Sequence, residues 1–187
     1  GERVFDVIED DPGRLMELDG IGPKRRERVT RAWAEQKEIR EIMVFLQSHG
    51  VGTARAVRIF KTYGDAAIEN VRENPYRLAL DIHGIGFKTA DAIARRLGIP
   101  RDSLIRARAG VRHALQEIAS DGHCAAYREN LVETAAKLLA IPRPVIEQAV
   151  TGELTEETLV EEEIDGVPAL LLTPLQRAER GVALSIA

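Results

Sequence analysis

Cysteine is nearly absent from this 187-residue sequence. The single Cys124 excludes a disulfide within the chain and fits a reducing compartment, so a cytoplasmic location is expected. Aromatic residues make up only 4%, which leaves Leu, Ile, Val and Ala to build the core from a 44% hydrophobic content. Long apolar runs are missing too. No stretch approaches the roughly 20 residues of a membrane span and no signal peptide is visible, so no membrane partner is expected. A Walker loop is also lacking. It needs glycine directly before Lys-Ser/Thr, whereas Phe87 precedes Lys88-Thr89 and no strand leads into that turn. There is no Asp-Glu magnesium pair and no Ser/His/Asp or Cys/His set with supporting context. The chain does not open on methionine and begins in mid-pattern, which is the expectation for a piece of a longer protein.

A strong positive charge is likewise missing, since the net charge is −4. Its distribution is uneven. Residues 1–100 carry 17 basic against 16 acidic side chains, and residues 101–187 carry 9 against 14. Any phosphate-binding surface is expected in the first stretch.

What is present is a repeat. Leu18-Asp19-Gly20-Ile21-Gly22-Pro23-Lys24-Arg25, Ser48-His49-Gly50-Val51-Gly52-Thr53-Ala54-Arg55 and Ile82-His83-Gly84-Ile85-Gly86-Phe87-Lys88-Thr89 share one grammar. Each is Gly-aliphatic-Gly opening a helical pattern with basic or hydroxyl residues in its first turn. Glycine admits positive φ and close approach by another molecule. The aliphatic residue between the glycines (Ile21, Val51, Ile85) can plug the turn into a core. The helix that follows offers unpaired backbone N–H groups at its positive end, which suits an anion such as a phosphate. Lys24, Arg25, Arg55 and Lys88 add charge, and Thr53 and Thr89 add hydroxyl donors. The candidate DNA-binding set is therefore Gly20, Gly22, Lys24, Arg25, Gly50, Gly52, Thr53, Arg55, Gly84, Gly86, Lys88 and Thr89. Nothing in it reads a base edge, so binding is expected to be sequence-independent. His49 and His83 precede hairpin glycines but are mostly uncharged at neutral pH.

Between the turns, Asp11-Pro12 predicts a capped helix carrying Leu15, Met16 and Leu18 inward. Lys24–Gln36 predicts a second, with Val29 and Trp33 on its core face, and Ile39, Ile42, Met43 and Leu46 continue a connecting helix. Asn74-Pro75 opens a short helix. Residues 88–97 predict a helix that buries Ala90, Ile93, Ala94 and Leu97 and stops at Gly98. Lys88 and Asp91 sit one turn apart, as a lyase pair would, but no aromatic base pocket accompanies them.

From Arg101 the pattern changes. Helices are predicted over 106–120, 130–140 and 144–150, then a hairpin over 159–172 turning at Asp165-Gly166. Glu161, Glu162 and Glu163 on that hairpin would repel phosphate, which points to a spacer or protein-contact module. His123-Cys124 lacks the second pair of ligands a tetrahedral metal site requires.

The repeat resembles the helix-hairpin-helix motif of DNA repair and recombination proteins, which runs Gly-hydrophobic-Gly and then two or three residues to Lys, Arg or Thr. The order of parts is similar to something narrower. Residues 40–99, "REIMVFLQSHGVGTARAVRIFKTYGDAAIENVRENPYRLALDIHGIGFKTADAIARRLGI", resemble the N-terminal region of RecD-like ATP-dependent DNA helicases of superfamily 1, and so does "IRARAGVRHALQEIASDGHCAAYRENLVETAAKLL". The tail "LLLTPLQRAERGVA" resembles the lead into that family's first motor domain. The resemblance implies a parent helicase moving 5′ to 3′ on single-stranded DNA with ATP and Mg, and a chain that is the region before the motor. It also implies one further hairpin copy upstream, and the sequence opens on the helix expected to follow it. The expected fold is mainly α: tandem helix-hairpin-helix motifs over 1–100, a winged-helix-like module with a C-terminal β-hairpin over 101–172, and the start of the connection to the motor over 173–187. Expected partners are single-stranded or forked DNA and the motor domains of the same chain, and no cofactor or metal is expected here. The competing reading is a protein-docking scaffold without DNA contact.

Overall fold

Strong helix formers fill the stretches between glycine and proline, and that punctuation sets most helix ends. The computed structural model describes residues 2–178. They fall into two compact units, Gly1–Asn70 and Val71–Ala187. The division comes earlier than residue 100, because the third Gly-Ile-Gly turn packs with the helices after it. Tyr76, Ala90, Ala94 and Ala109 form one buried cluster across that stretch.

The first unit holds α1 (Glu2–Asp10), α2 (Pro23–Ser48) and α3 (Thr53–Tyr63). The helix expected after Asp11 is a 3-10 turn, Pro12–Glu17, and Asp11 makes no side-chain cap. Leu15 is buried as expected, but Met16 and Leu18 are 46% and 56% exposed. Met16 lies a third of a 3-10 turn round from Leu15, and Leu18 has already left the turn as an extended residue with ψ 132°. The two segments expected between Lys24 and Leu46 are one unbroken helix of 26 residues. The joining stretch, Glu35-Gln36-Lys37-Glu38, contains helix formers and no breaker. Near the far end of α2, Ile42 and Leu46 pack against α3, so that the core gathers Val51, Ala56 and Ile59 as well. Trp33 is half-buried rather than a core residue. It stacks on Phe5 at 4.5 Å and donates from Nε1 to Glu9 Oε1 at 3.0 Å, pinning α2 to α1.

The element α4 (Ala67–Glu73) leads into the second unit. There, Asn74 Oδ1 accepts the Tyr76 amide at 3.1 Å and starts a 3-10 turn, Pro75–Arg77. Then come α5 (Leu78–Asp81), α6 (Phe87–Arg96), α7 (Leu104–Ser120), β1 (Ala125–Tyr127), α8 (Arg128–Leu139), α9 (Arg143–Thr155), β2 (Leu159–Ile164) and β3 (Val167–Leu172). Gly98, at φ 78°, ends α6 as expected. The β2–β3 turn uses Asp165 (φ 53°) and Gly166 (φ 78°), as the Asp-Gly pair predicts. Strand β1 was not expected, since three residues are too few to show an alternation. It pairs with β3 (Ala126 opposite Leu170), giving the antiparallel order β1-β3-β2. The succession α7-β1-α8-α9-β2-β3 is that of a winged helix. Val111, Leu115, Leu131, Ile146 and Leu170 fill its core. A Cβ on Gly110 would stand 2.2 Å from Leu139 Cδ1, so α7 and α8 meet there with no room for a side chain.

One carboxylate lies inside this module. Glu153 on α9 is 0% exposed. It accepts from Arg108 Nε at 2.6 Å, from Arg112 Nη1 at 2.7 Å and from the Thr158 hydroxyl. Helix resumes over residues 173–178. The rest of the expected connection, 179–187, lies outside the described residues.

Candidate nucleic-acid interface

The three turns are built alike. Gly20, Gly50 and Gly84 have φ of 84°, 82° and 84°, a left-handed conformation that costs other residues about 1–2 kcal/mol. Val51 and Ile85, at 2% and 3% exposure, plug the second and third turns, while Ile21 is half-buried. The second glycine of each pair caps the helix that follows. Its carbonyl accepts the amides three and four residues on (Arg25 and Arg26, Arg55 and Ala56, Thr89 and Ala90) at 2.9 to 3.1 Å. The amides before those pairs are left unpaired among the described residues. They are Gly22 and Lys24 in the first turn, Gly52, Thr53 and Ala54 in the second, and Gly86, Phe87 and Lys88 in the third. Pro23 has no N–H, so the first turn presents one donor fewer.

Gly22, Gly52 and Gly86 differ from the first glycines. Their φ values of −86°, −65° and −96° suit any residue, and a Cβ at each would meet nothing within 4 Å. All three are exposed. Neither backbone strain nor crowding inside the chain demands glycine at these positions.

Lys24, Arg25, Arg55 and Lys88 are exposed, and among the described residues none is in an ion pair. Arg25 Nη1 donates to the Gly20 carbonyl at 3.3 Å, and Thr53 Oγ1 accepts from Gln47 Nε2 at 3.3 Å. Thr89 is half-buried. The first two turns lie in the first unit and the third in the second, so the fold brings the candidates together turn by turn. His49 is occupied locally: Nδ1 sits 2.8 Å from the Phe45 carbonyl and its ring packs on Phe45.

The winged-helix module contrasts with the turns. The cleft between α8, α9 and the wing has a volume of about 570 Å3 and is lined by Arg128, Glu129, Arg143 and Glu147. Both arginines are already paired, Arg128 with Glu161, and Arg143 with Glu129 and Glu147.

Asp91 is a structural group. It is 4% exposed and accepts from Tyr76 Oη and Arg106 Nε, both at 2.8 Å, and from Arg95 Nη2 at 3.2 Å. Arg106 also donates to the carbonyls of Arg101 at 2.7 Å and Leu139 at 2.9 Å, binding α6 to α7 and to the end of α8. Sequence reasoning missed Arg106. The only available signal was that Asp91 falls on the buried side of α6. Burial works against the Asp91 carboxylate, but the hydrogen bonds from Arg106 and Tyr76 outweigh it and hold the carboxyl below its ordinary value. Burial, then the bond to Asp91, push the Tyr76 hydroxyl up.

Both shifts predict pH limits. A lowered Asp91 contributes stability that is present above the unfolded carboxyl value of about 3.9 and is lost as pH falls through the folded value. A raised Tyr76 contributes stability that is present below about 10 and is lost as pH rises through its folded value. Denaturant midpoints measured across pH should show both limbs, and Asp91→Asn should flatten the acid one. An unchanged acid limb would mean that Asp91 titrates normally.

Residues 35–125 match the family described as the ATP-dependent RecD2 DNA helicase HHH domain. These residues are similar to a RecD2-type helix-hairpin-helix domain. The match contains the second and third turns and Asp91, and it ends where β1 begins. A curated relative, the ATP-dependent RecD2 DNA helicase of Deinococcus radiodurans, is 30% identical over 116 residues. That alignment covers 62% of this chain and 16% of the relative. The chain thus corresponds to a small part of the helicase it resembles, and the helix-hairpin-helix reading of the second and third turns agrees with the family match. Among the described residues, no helix is long and apolar enough to cross a membrane.

Proposed function

We propose that this chain is the non-catalytic accessory region of a RecD-like 5′–3′ DNA helicase and that its turns grip the sugar–phosphate backbone without reading sequence. The observation that carries the reading is the second glycine of each turn. Gly22, Gly52 and Gly86 are exposed, unstrained and uncrowded, and they adjoin unpaired amides at helix starts. Glycine there serves an outside atom that comes close to the backbone. Lys24, Arg25, Arg55 and Lys88 supply free positive charge at the same helix starts.

ATP and Mg belong, on this reading, to motor domains elsewhere in a longer protein. The residues of the third turn do not fit a nucleotide loop. Phe87 stands where the glycine would be, and the helix Leu78–Asp81 precedes the turn in place of a strand. For the winged-helix module the paired arginines and the acidic wing favour the second reading, a docking role toward the motor domains of the same chain.

The test separates binding from folding. Gly22→Ala, Gly52→Ala and Gly86→Ala each add one methyl group in open space, so stability should fall only by the roughly 1 kcal/mol that alanine costs at a helix cap. Affinity for DNA should fall, because the same methyl group stands where a phosphate oxygen approaches. Fluorescence anisotropy with thermal melts reads both. Unchanged DNA affinity in all three variants would remove the basis of the reading.

A further inference from the structure

Three rings stack in a column beside the third turn. Tyr76 and Phe87 lie 5.8 Å apart at 21°, and Phe87 and His113 lie 4.8 Å apart at 19°. Tyr76 is fixed from below by its hydrogen bond to Asp91. Phe87 is the first residue of α6, and its amide is one of the unpaired donors of the turn. His113 comes from α7 and is half-buried.

A cavity of about 870 Å3 opens between α7 and residues 172–177. It reaches His113 but neither Phe87 nor Tyr76, so His113 is the ring of the column that this cavity meets. A smaller hollow alongside is lined by Gly86, Phe87, His113 and Gln116. His113 and Gln116 border both spaces, which makes the surface from the turn to the cavity continuous.

The chemistry of the cavity selects what enters. Leu80, Leu172 and Pro174 give it apolar walls, and Gln116 and Ser120 give it uncharged hydrogen-bonding groups. Glu117 and Glu157 line it together with Arg112 and Arg177, so its acidic and basic side chains balance and it offers no net charge to draw in a phosphate. A flat, uncharged, hydrogen-bonding ring suits the space. A paired base, held within the duplex stack, cannot reach it.

We propose that this cavity holds the base of an unpaired nucleotide, stacked on His113 as the fourth ring of the Tyr76–Phe87–His113 column, while a neighbouring phosphate of the same strand lies on the amides of Gly86, Phe87 and Lys88. The proposal rests on the backbone-gripping reading above and adds to it a preference for single-stranded DNA at the third turn. Stacking on one aromatic side chain supports single-strand binding in many unrelated proteins and tolerates every base.

The test uses the 187-residue chain and three labelled probes: an oligodeoxynucleotide single strand, the same strand carrying consecutive abasic sites, and a blunt duplex. The single strand should bind more tightly than either of the others. His113→Ala should weaken single-strand binding by about 5- to 100-fold and leave duplex and abasic binding unchanged. His113→Phe keeps the ring and should restore the single-strand affinity. If the unsubstituted chain binds none of the three probes, the backbone reading falls and this proposal with it. If it binds all three alike, or if His113→Ala lowers all three equally, the backbone reading stands and the base site is overturned.

Discussion

Glu153→Ala is expected to lower the stability of the winged-helix module by about 3–5 kcal/mol, the usual cost of leaving a buried charge without its partner. The side chain is wholly enclosed. Its two oxygens take up Arg108, Arg112 and Thr158, so one carboxylate joins α9 to α7 and to the start of β2. Its loss is unequal for the two arginines. Arg108 keeps Glu156, while Arg112 has no second carboxylate among the described residues. Arg112 is only 14% exposed and would stay charged in a space that no longer compensates it. Removing both charges should be far milder. Arg112→Met with Glu153→Met replaces the pair by apolar volume and should recover most of the loss. Guanidinium denaturation followed by helical circular dichroism measures all three proteins. A loss below about 1 kcal/mol for Glu153→Ala would show that water reaches the cluster.

Reversing the charges of Lys24, Arg25, Arg55 and Lys88 to Glu should weaken DNA binding by about 100-fold or more at low salt. The same change should flatten the dependence of log K on log salt by roughly 0.7–0.9 for each phosphate that is no longer neutralised, because fewer counterions are released on binding. Stability should move by no more than about 0.5 kcal/mol per site, since these side chains are exposed and make no ion pairs among the described residues. The two units can be tested apart. Lys24, Arg25 and Arg55 report on the first unit, and Lys88 reports on the third turn in the second. Full affinity after all four reversals would end the proposed grip on the backbone and leave the docking reading in place.

Much of the candidate interface was legible in the amino-acid order because its requirements are local. A Gly-aliphatic-Gly turn needs one residue at positive φ and one plug, and its hydrogen bonds close within a few residues of the turn. The same holds for the Gly98 stop and for the Asp165-Gly166 hairpin. Local reasoning failed where a partner was distant. Arg106 meets Asp91 across 15 residues and Arg108 meets Glu153 across 45. Glu153 stands among Glu147, Glu156 and Glu157, and nothing in the spacing marks it as the enclosed one. Trp33 kept the helical face assigned to it but found a surface partnership with Phe5 and Glu9 in place of a core. Strand β1 has three residues and exists through its pairing with β3.

By itself the sequence determined where the backbone bends and which amides the bends leave open. Dihedral preference and short-range hydrogen bonding act between neighbours, so composition and spacing suffice. The tertiary structure decided that the third turn packs with the winged helix, that Asp91 and Glu153 are enclosed anchors, and that His113 stands at the mouth of a cavity. Those outcomes depend on burial and on charge pairing between segments far apart in the chain, and only folding brings them within reach of one another.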